Sequence, residues 1–293
     1  MQEIESCPIC GNAHLKEFLR TRDYHYTQEE FSLKRCAQCS LVVTSPRPDN
    51  ERLLHYYGSP EYLSHSARPT SLVGHVYRFA RRFTIKRKVD LLGRFQQKGT
   101  ILDFGCGTGE FLLHAQRIGW KTYGVEPSEA ARNVAAAQLP YVYDAIDPIP
   151  AQSCNAITLW HVLEHVPDLQ KTLLELLDRL TPDGTLFIAV PNIASSDSQH
   201  YRATWAGLDV PRHLWHFTRQ SMERLLHEHN LTLLHTMPMK LDAYYVSLLS
   251  EKYRNSNTLS PTGYVRAMRT AIASNRAARK SGEYSSLIYV ARK

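Results

Sequence analysis

From residue 100 onward, short apolar runs alternate with amphipathic stretches of helical spacing. The runs at 100–104, 121–125, 140–143, 155–160 and 184–190 read as strands, and helices are predicted near 109–118, 128–138 and 167–180. Thr181-Pro182-Asp183-Gly184 reads as a turn feeding the fifth strand. A helix at 218–229, a strand near 231–236, a helical region at 260–280 and a last strand from Ser286 to Val290 complete a set of seven strands. Parallel strands joined by such short helical units make a doubly wound α/β sheet, with a ligand at the carboxyl ends of the strands. No role is legible for residues 240–285.

Before residue 100 the pattern changes. Phe31-Ser32-Leu33-Lys34 and Leu41-Val42-Val43-Thr44 read as strands of a small module over residues 1–45, and Ser45-Pro46-Arg47-Pro48 as a stiff boundary after it. A linker and cap over 46–98 follows. Its first helix runs from Asp49 to Tyr57, with Leu53, Leu54 and Tyr57 on one side. Residues 58–70 are rich in turns. A long helix then spans about Ser71 to Phe95, with Leu72, Val76, Phe79, Phe83, Val89 and Leu92 as its apolar set. The same helix carries Arg78, Arg81, Arg82, Lys86, Arg87 and Lys88. They read as a solvated face, with a grip on RNA phosphates or on a membrane surface as the other reading. Tyr56, Tyr57, Tyr62 and His65 form a polar-aromatic cluster that reads equally as packing beneath the small module or as a cover over a ligand.

At 293 residues the chain suits one sizeable domain and one small one. The N-terminus has acids and no apolar segment of the secretory kind, and no run is long enough to span a bilayer, so a cytoplasmic location without membrane insertion is the expectation. A formal charge of +7 suits an anionic small-molecule partner and falls short of arguing for nucleic acid.

Four of the six cysteines form two knuckles, Cys7-Pro8-Ile9-Cys10 and Cys36-Ala37-Gln38-Cys39, with 25 residues between the inner pair. Two such pairs at this separation can close a tetrahedral thiolate site, as in a structural zinc ribbon. Gly11 and Ser40, directly after the pairs, suit the tight turns that aim backbone N–H groups at sulfur. Cys154 precedes an apolar strand and reads as core, and Cys106 as a small residue inside a glycine loop.

That loop is Ile101-Leu102-Asp103-Phe104-Gly105-Cys106-Gly107-Thr108-Gly109-Glu110. A dinucleotide site asks for G-x-G-x-x-G, whose third glycine would fall at Glu110. The pattern is instead D-x-G-x-G-x-G, with a second acid, Glu126, ending the next strand. Together they resemble the S-adenosylmethionine site of class I methyltransferases. The resemblance implies a Rossmann-like seven-stranded sheet over 99–293 with the N-terminal zinc ribbon before it. It also implies cofactor contacts from Asp103, Gly105, Cys106, Gly107 and Gly109, and from Glu126 to the ribose hydroxyls. A carboxylate can accept two hydroxyl hydrogen bonds at once.

Strand four ends in Leu159-Trp160-His161 and continues Val162-Leu163-Glu164-His165-Val166-Pro167-Asp168. This is similar to the fourth-strand motif of methyltransferases related to the ubiquinone O-methyltransferase group, in which the residues just past the strand, here Trp160 and His161, border the cofactor. Asp144 falls where the family often contacts adenine, although the aromatic-Asp pair expected before strand four is Cys154-Asn155. For His161 and His165 the structural reading is a strand-end cap and a helix-start packing group.

After strand five, residues 191–217 read as a loop placed to serve as a substrate lid. Trp205, Asp209, Arg212, His213, Trp215 and His216 make it rich in polar and aromatic groups. Arg212-His213-Leu214-Trp215-His216-Phe217-Thr218 resembles a segment of zinc-ribbon methyltransferases found with surface-glycan and sugar-nucleotide genes, which implies a sugar or sugar-nucleotide acceptor methylated on oxygen or carbon. A neutral imidazole is an economical acceptor for the proton that must leave, and His213 is the candidate catalytic base. The alternative is that His213 and His216 bond backbone carbonyls and pin the segment. Two other readings of the whole chain stay open: an RNA methyltransferase gripping RNA with ribbon and basic helix, and a non-enzymatic zinc-ribbon adaptor.

Overall fold

The computed structural model describes residues 1–57 and 72–293, and the side chains of 1–57 and 84–293. The turn-rich segment 58–70, with Tyr62 and His65, lies outside the described residues, as do the side chains of Arg78, Arg81 and Arg82. Among the described residues eleven strands form two sheets, a four-stranded one in the order β1-β2-β3-β9 and a seven-stranded one in the order β10-β11-β8-β7-β4-β5-β6. By contacts the described chain falls into two compact units, one of 1–57, 163–170 and 189–289, the other of 72–162, 171–188 and 290–293.

The second unit holds the centre of the large sheet. β4 (Thr100–Phe104), β5 (Lys121–Val125), β6 (Val142–Tyr143) and β7 (Cys154–Trp160) are parallel neighbours, with Asp103 opposite Gly124 on one side and Thr158 on the other. Strands covered on both faces need continuous apolar runs, and Ile101, Leu102, Ala156, Ile157 and Leu159 are fully buried. Of the helices, α2 (Leu72–Phe95) lays Val89, Leu91 and Leu92 inward and leaves Lys86 and Arg87 exposed. Helix α3 (Glu110–Arg117) buries Phe111, Leu112 and Ala115, spacings of one helical face. Helices α4 (Glu129–Ala136) and α5 (Leu169–Arg179) follow β5 and β7. Strand β8 runs from Leu180 to Pro191, so the residues read as a turn begin the strand instead. The chain is nonetheless tightly bent there: a Cβ on Gly184 would come 2.9 Å from the Thr181 carbonyl oxygen.

The first unit builds on β1 (Leu15–Arg22), β2 (Glu30–Cys36) and β3 (Val42–Thr44), which pair antiparallel. The fourth strand comes from far along the chain: β9 (Trp215–His216) pairs with β3 through Val42 and Val43. Helix α1 (Asn50–His55) is capped by Asp49, whose carboxylate accepts from Arg52 N–H. It buries Leu53 but leaves Leu54 73% exposed, against the shared face expected for the two.

Residues 191–217 are folded, not an open loop. They contain α6 (Ser196–Tyr201), two 3-10 turns at Arg202–Thr204 and Ala206–Leu208, and β9. Ile193, Tyr201, Trp205, Leu208 and Val210 share one apolar core with Phe31, Leu33, Val42 and Tyr56 of the N-terminal module. Tyr56 therefore packs beneath the ribbon, as one of its two readings held. Ser45 and Arg47 are buried, Arg47 donates to Pro167 O at 3.0 Å, and its guanidinium lies 4.6 Å over the Trp215 ring. The same unit holds α7 (Arg219–Glu228), β10 (Thr232–Pro238), α8 (Asp242–Arg254), α9 (Pro261–Ser281) and most of β11 (Ser286–Arg292). Helices α8 and α9 occupy the region whose role was not legible. No helix among the described residues is long and apolar enough to cross a membrane.

Candidate functional site

The glycine loop leaves β4 at its carboxyl end. Gly105, Gly107 and Gly109 all have positive φ, which L side chains resist. At Gly105 the space is closed as well, since a Cβ would meet Val162 Cγ2 at 2.4 Å. The Gly105 and Cys106 N–H groups both donate to Val125 O, and Gly107 N–H donates to Glu126 Oε2 at 2.8 Å. Loop and second acid are thus hydrogen-bonded to each other. Glu126 Oε1 accepts from Ser128 N–H at 2.9 Å, so each carboxylate oxygen already holds one backbone donor and keeps a further lone pair for a hydroxyl. With Gly109 N–H given to Cys106 O, four loop N–H groups are engaged within the protein. The expectation that loop N–H groups receive a cofactor carboxylate is narrowed accordingly.

Asp103 is buried beneath the loop and accepts from Thr158 Oγ1 at 2.6 Å. Burial raises its pKa to about 7, the Thr158 hydroxyl and Lys88 opposing the rise and Glu126 adding to it. Lys88, from α2, also sets its ammonium 4.5 Å over the Trp160 ring, which meets Phe111 edge to face at 5.6 Å. Sequence reasoning placed Lys88 on a solvated face. Its only signal was its place beside the buried Val89.

Trp160 and His161 close β7, next to β4, and Asp144 stands exposed just past β6. His161 is partly exposed with φ +59°. Asp103, Gly105, Cys106, Gly107, Gly109, Glu126, Asp144, Trp160 and His161 therefore gather at the carboxyl ends of four adjacent strands, where ligands of open α/β sheets bind. Residue types and space suit a cationic, hydroxyl-bearing group such as S-adenosylmethionine. There are two acidic side chains, open space beside Gly107, and the buried Trp160 Nε1–H, which has no hydrogen bond.

His213 belongs to the other unit. Its ring is buried, Nδ1 lies 2.9 Å from Gly207 O, and it meets the His165 ring edge to face at 4.5 Å. Pro191, Ile193, Trp205, Gly207, His213, Trp215 and His216 line a crevice too tight to hold a water molecule. His216 is held by Thr44 Oγ1 at 3.0 Å. His165 is held down at about 4 and His216 at about 3, by burial first and by His213 second.

The other polar groups of this segment turn inward. Arg212 is fully buried and donates to Asp209, to Asp23 at 2.8 Å and to Tyr56 O at 3.1 Å. Burial alone would raise both acids, but Arg212 outweighs it and holds them below the usual carboxylate range. Trp205 Nε1–H goes to buried Asp197, and Trp215 Nε1–H to Val166 O. The polar groups of Arg212, Asp209 and both tryptophans are thus engaged in bonds within the protein.

The four knuckle sulfurs converge within 4.8 Å of one another, with Cys7 and Cys39 Sγ 3.4 Å apart and Cys10 and Cys36 Sγ 3.5 Å apart. Four thiolates about 2.3 Å from a tetrahedral ion sit about 3.8 Å apart, so the set fits zinc with little adjustment. Gly11 and Ser40 take positive φ, and their N–H groups close the turns onto Cys7 O and Cys36 O. The Cys39 thiol, then the Ile9 and Cys10 N–H groups, lower Cys7 to about 5.

A family model described as a methyltransferase domain matches residues 76–236. Over 106 residues the chain is 33% identical to a mitochondrial ubiquinone biosynthesis O-methyltransferase of Candida albicans, covering 32% of this chain and 32% of that protein. Over 102 residues it is 28% identical to the ubiquinone biosynthesis O-methyltransferase of Xanthomonas campestris pv. campestris strain B100, covering 31% and 43%. The match spans less than half the length of these curated relatives. A solved geranyl diphosphate methyltransferase, in complex with S-adenosylmethionine, is similar in fold at a TM-score of 0.50 and 17% identity, over 84% of this chain and 96% of that one.

Proposed function

This chain belongs to the methyltransferase-domain family, and we propose that it transfers a methyl group from S-adenosylmethionine to a small-molecule acceptor, a sugar or sugar-nucleotide methylated on oxygen or carbon. The observation that carries the reading is the hydrogen bond from Gly107 N–H to Glu126 beside buried Asp103, which joins a glycine loop to two acids at the strand ends. In this reading Glu126 takes the ribose hydroxyls with its remaining lone pairs, and Asp103 and the loop hold the methionine end. Asp144, Trp160 and His161 border the adenosine. When bound, the cofactor supplies an electrophilic methyl on sulfonium sulfur. The protein's part is to orient the acceptor, exclude water and take a proton.

His213 is the residue we assign to that proton. Gly207 O can only accept, so Nδ1 carries the ring hydrogen and Nε2 the lone pair that a base needs. The four cysteines hold a structural zinc, a closed thiolate set with no open position. The acceptor class rests on the Arg212–Thr218 resemblance and on the positive charge of the chain.

The test is mass spectrometry of a metabolite extract, and of purified sugar-nucleotides, incubated with enzyme and isotopically labelled methyl donor. Label should enter a sugar or sugar-nucleotide. Label in RNA instead would move the acceptor to nucleic acid, and no label anywhere, with no thermal shift by cofactor or its demethylated product, would leave a binding module. With the acceptor in hand, His213→Gln should slow turnover by roughly 100- to 10,000-fold while cofactor affinity stays near wild type. An undiminished rate removes His213 as base.

A further inference from the structure

Among the described residues two clusters bring three or more metal-ligating groups together, the four cysteines and a second set, Glu164, His165 and His213. One donor atom from each of these three lies within 4.8 Å of the others. Glu164 is 1% exposed and His213 8%, while His165 is partly exposed. The base reading uses one of the three and leaves the other two without a role.

The orientation of the rings carries the argument. His213 Nδ1 is 2.9 Å from Gly207 O, and His165 Nδ1 is 3.1 Å from both Arg212 O and the Tyr57 hydroxyl oxygen. A carbonyl accepts and never donates, so His213 Nδ1 carries hydrogen and that neutral ring presents its lone pair on Nε2; with hydrogen on His165 Nδ1, Arg212 O and the Tyr57 hydroxyl oxygen both accept from it and its lone pair likewise stands on Nε2. Histidines that ligate metals are held this way, with the second ring nitrogen given to a backbone carbonyl that fixes tautomer and direction. The backbone is secured too. Glu164 O accepts from Leu214 N–H at 2.8 Å and Trp215 N–H at 3.3 Å, tying residue 164 to the segment that carries His213.

We propose that Glu164, His165 and His213 form a second metal site, for a divalent first-row transition-metal ion bound through two imidazole nitrogens and one carboxylate oxygen. This donor set is neither all-thiolate nor all-oxygen, which separates it from the ribbon and from calcium or magnesium sites. A cation also counters the cost of burying the Glu164 carboxylate. Donors around a tetrahedral ion at 2.0–2.2 Å stand about 3.3 Å apart, so closing on a metal takes side-chain adjustment and no change of fold. Three protein donors leave at least one position open to water or another oxygen ligand. The cation and the proton of the base reading compete for the same Nε2 lone pair of His213. The site itself stands on the geometry alone and does not require methyl transfer.

The test adds Co²⁺ to the full chain with its cysteine site already zinc-loaded, and counts bound cobalt by equilibrium dialysis. One cobalt per chain should bind without the thiolate charge-transfer absorption that cobalt at the cysteines would give. Its affinity should fall by more than about 10-fold in both Glu164→Gln and His165→Gln. Cobalt that binds equally well to these variants, or only with thiolate absorption, overturns the proposal. A second measurement needs no variant. In wild-type protein, proton NMR should show two paramagnetically shifted, exchangeable imidazole N–H signals, from His165 and His213. Their absence in a cobalt-treated sample rejects the site even where the variants fail to fold.

Discussion

A carboxyl group buried as deeply as Asp103 resists giving up its proton unless positive charge or donors face it. Thr158 and Lys88 are not enough, and its pKa stays up at about 7. The sign of the consequence follows from linkage. Between about pH 4 and 7 the folded chain holds a proton that the unfolded chain has lost, so the stability contributed by this group is complete below about 3.9 and disappears as pH rises through about 7. A shift of about three units corresponds to roughly 4 kcal/mol at most. Carbon-detected NMR of the cofactor-free protein should find the Asp103 carboxyl titrating near pH 7. Asp103→Asn should flatten the stability profile over the same window. A midpoint near that of an exposed aspartate would mean that water reaches the group.

At the scale of elements, the β4–α3 connection sets the candidate cofactor site, and its glycines do different jobs. Gly105 needs both a left-handed backbone and room against Val162, whereas Gly107, at φ +55°, has nothing within 4 Å of where a Cβ would stand. Gly105→Ala should therefore cost about 2 kcal/mol or more, backbone strain plus overpacking, and Gly107→Ala about 1–2 kcal/mol from strain alone. Urea denaturation of the two variants measures this. Equal costs would show that Val162 yields freely. Gly107→Ala should still weaken cofactor binding, because the added methyl enters the open space next to the Glu126 contact.

For the molecule as a whole, the N-terminal module is tied to the distant segment 201–216: its Phe31, Leu33 and Val42 share one apolar cluster with Tyr201, Trp205, Leu208 and Val210, and β9 completes its sheet. Loss of the proposed zinc, by chelation or Cys36→Ser, should thus remove hydrogen-exchange protection from residues 196–216 together with 15–44, while β4 and β5 stay protected. Protection lost only within the first 45 residues would show that the shared core survives without metal.

How much of this was legible in the chain depends on the range of the interaction. The strands β4 and β5, the helices that follow them, the knuckle turns at Gly11 and Ser40 and the glycine loop obey local rules of periodicity, spacing and allowed φ, and sequence alone determined them. So it did the D-x-G-x-G-x-G and Glu126 pairing, because parallel neighbours bring consecutive strand ends together. What lay beyond reach depends on contacts between residues far apart. Arg212 looked like a substrate group until Asp23, 189 positions away, supplied its buried partner. Residues 191–217 looked like a loop because their order comes from the ribbon's apolar face, and no local pattern announces that. Likewise His165 read as packing, and only the fold turns its ring toward His213, since the carbonyls that orient the two rings belong to residues 207 and 212 and not to its own neighbourhood. Local chemistry was written in the sequence; the direction in which each buried polar group points was decided by tertiary structure, because its hydrogen-bond partner comes from elsewhere in the chain.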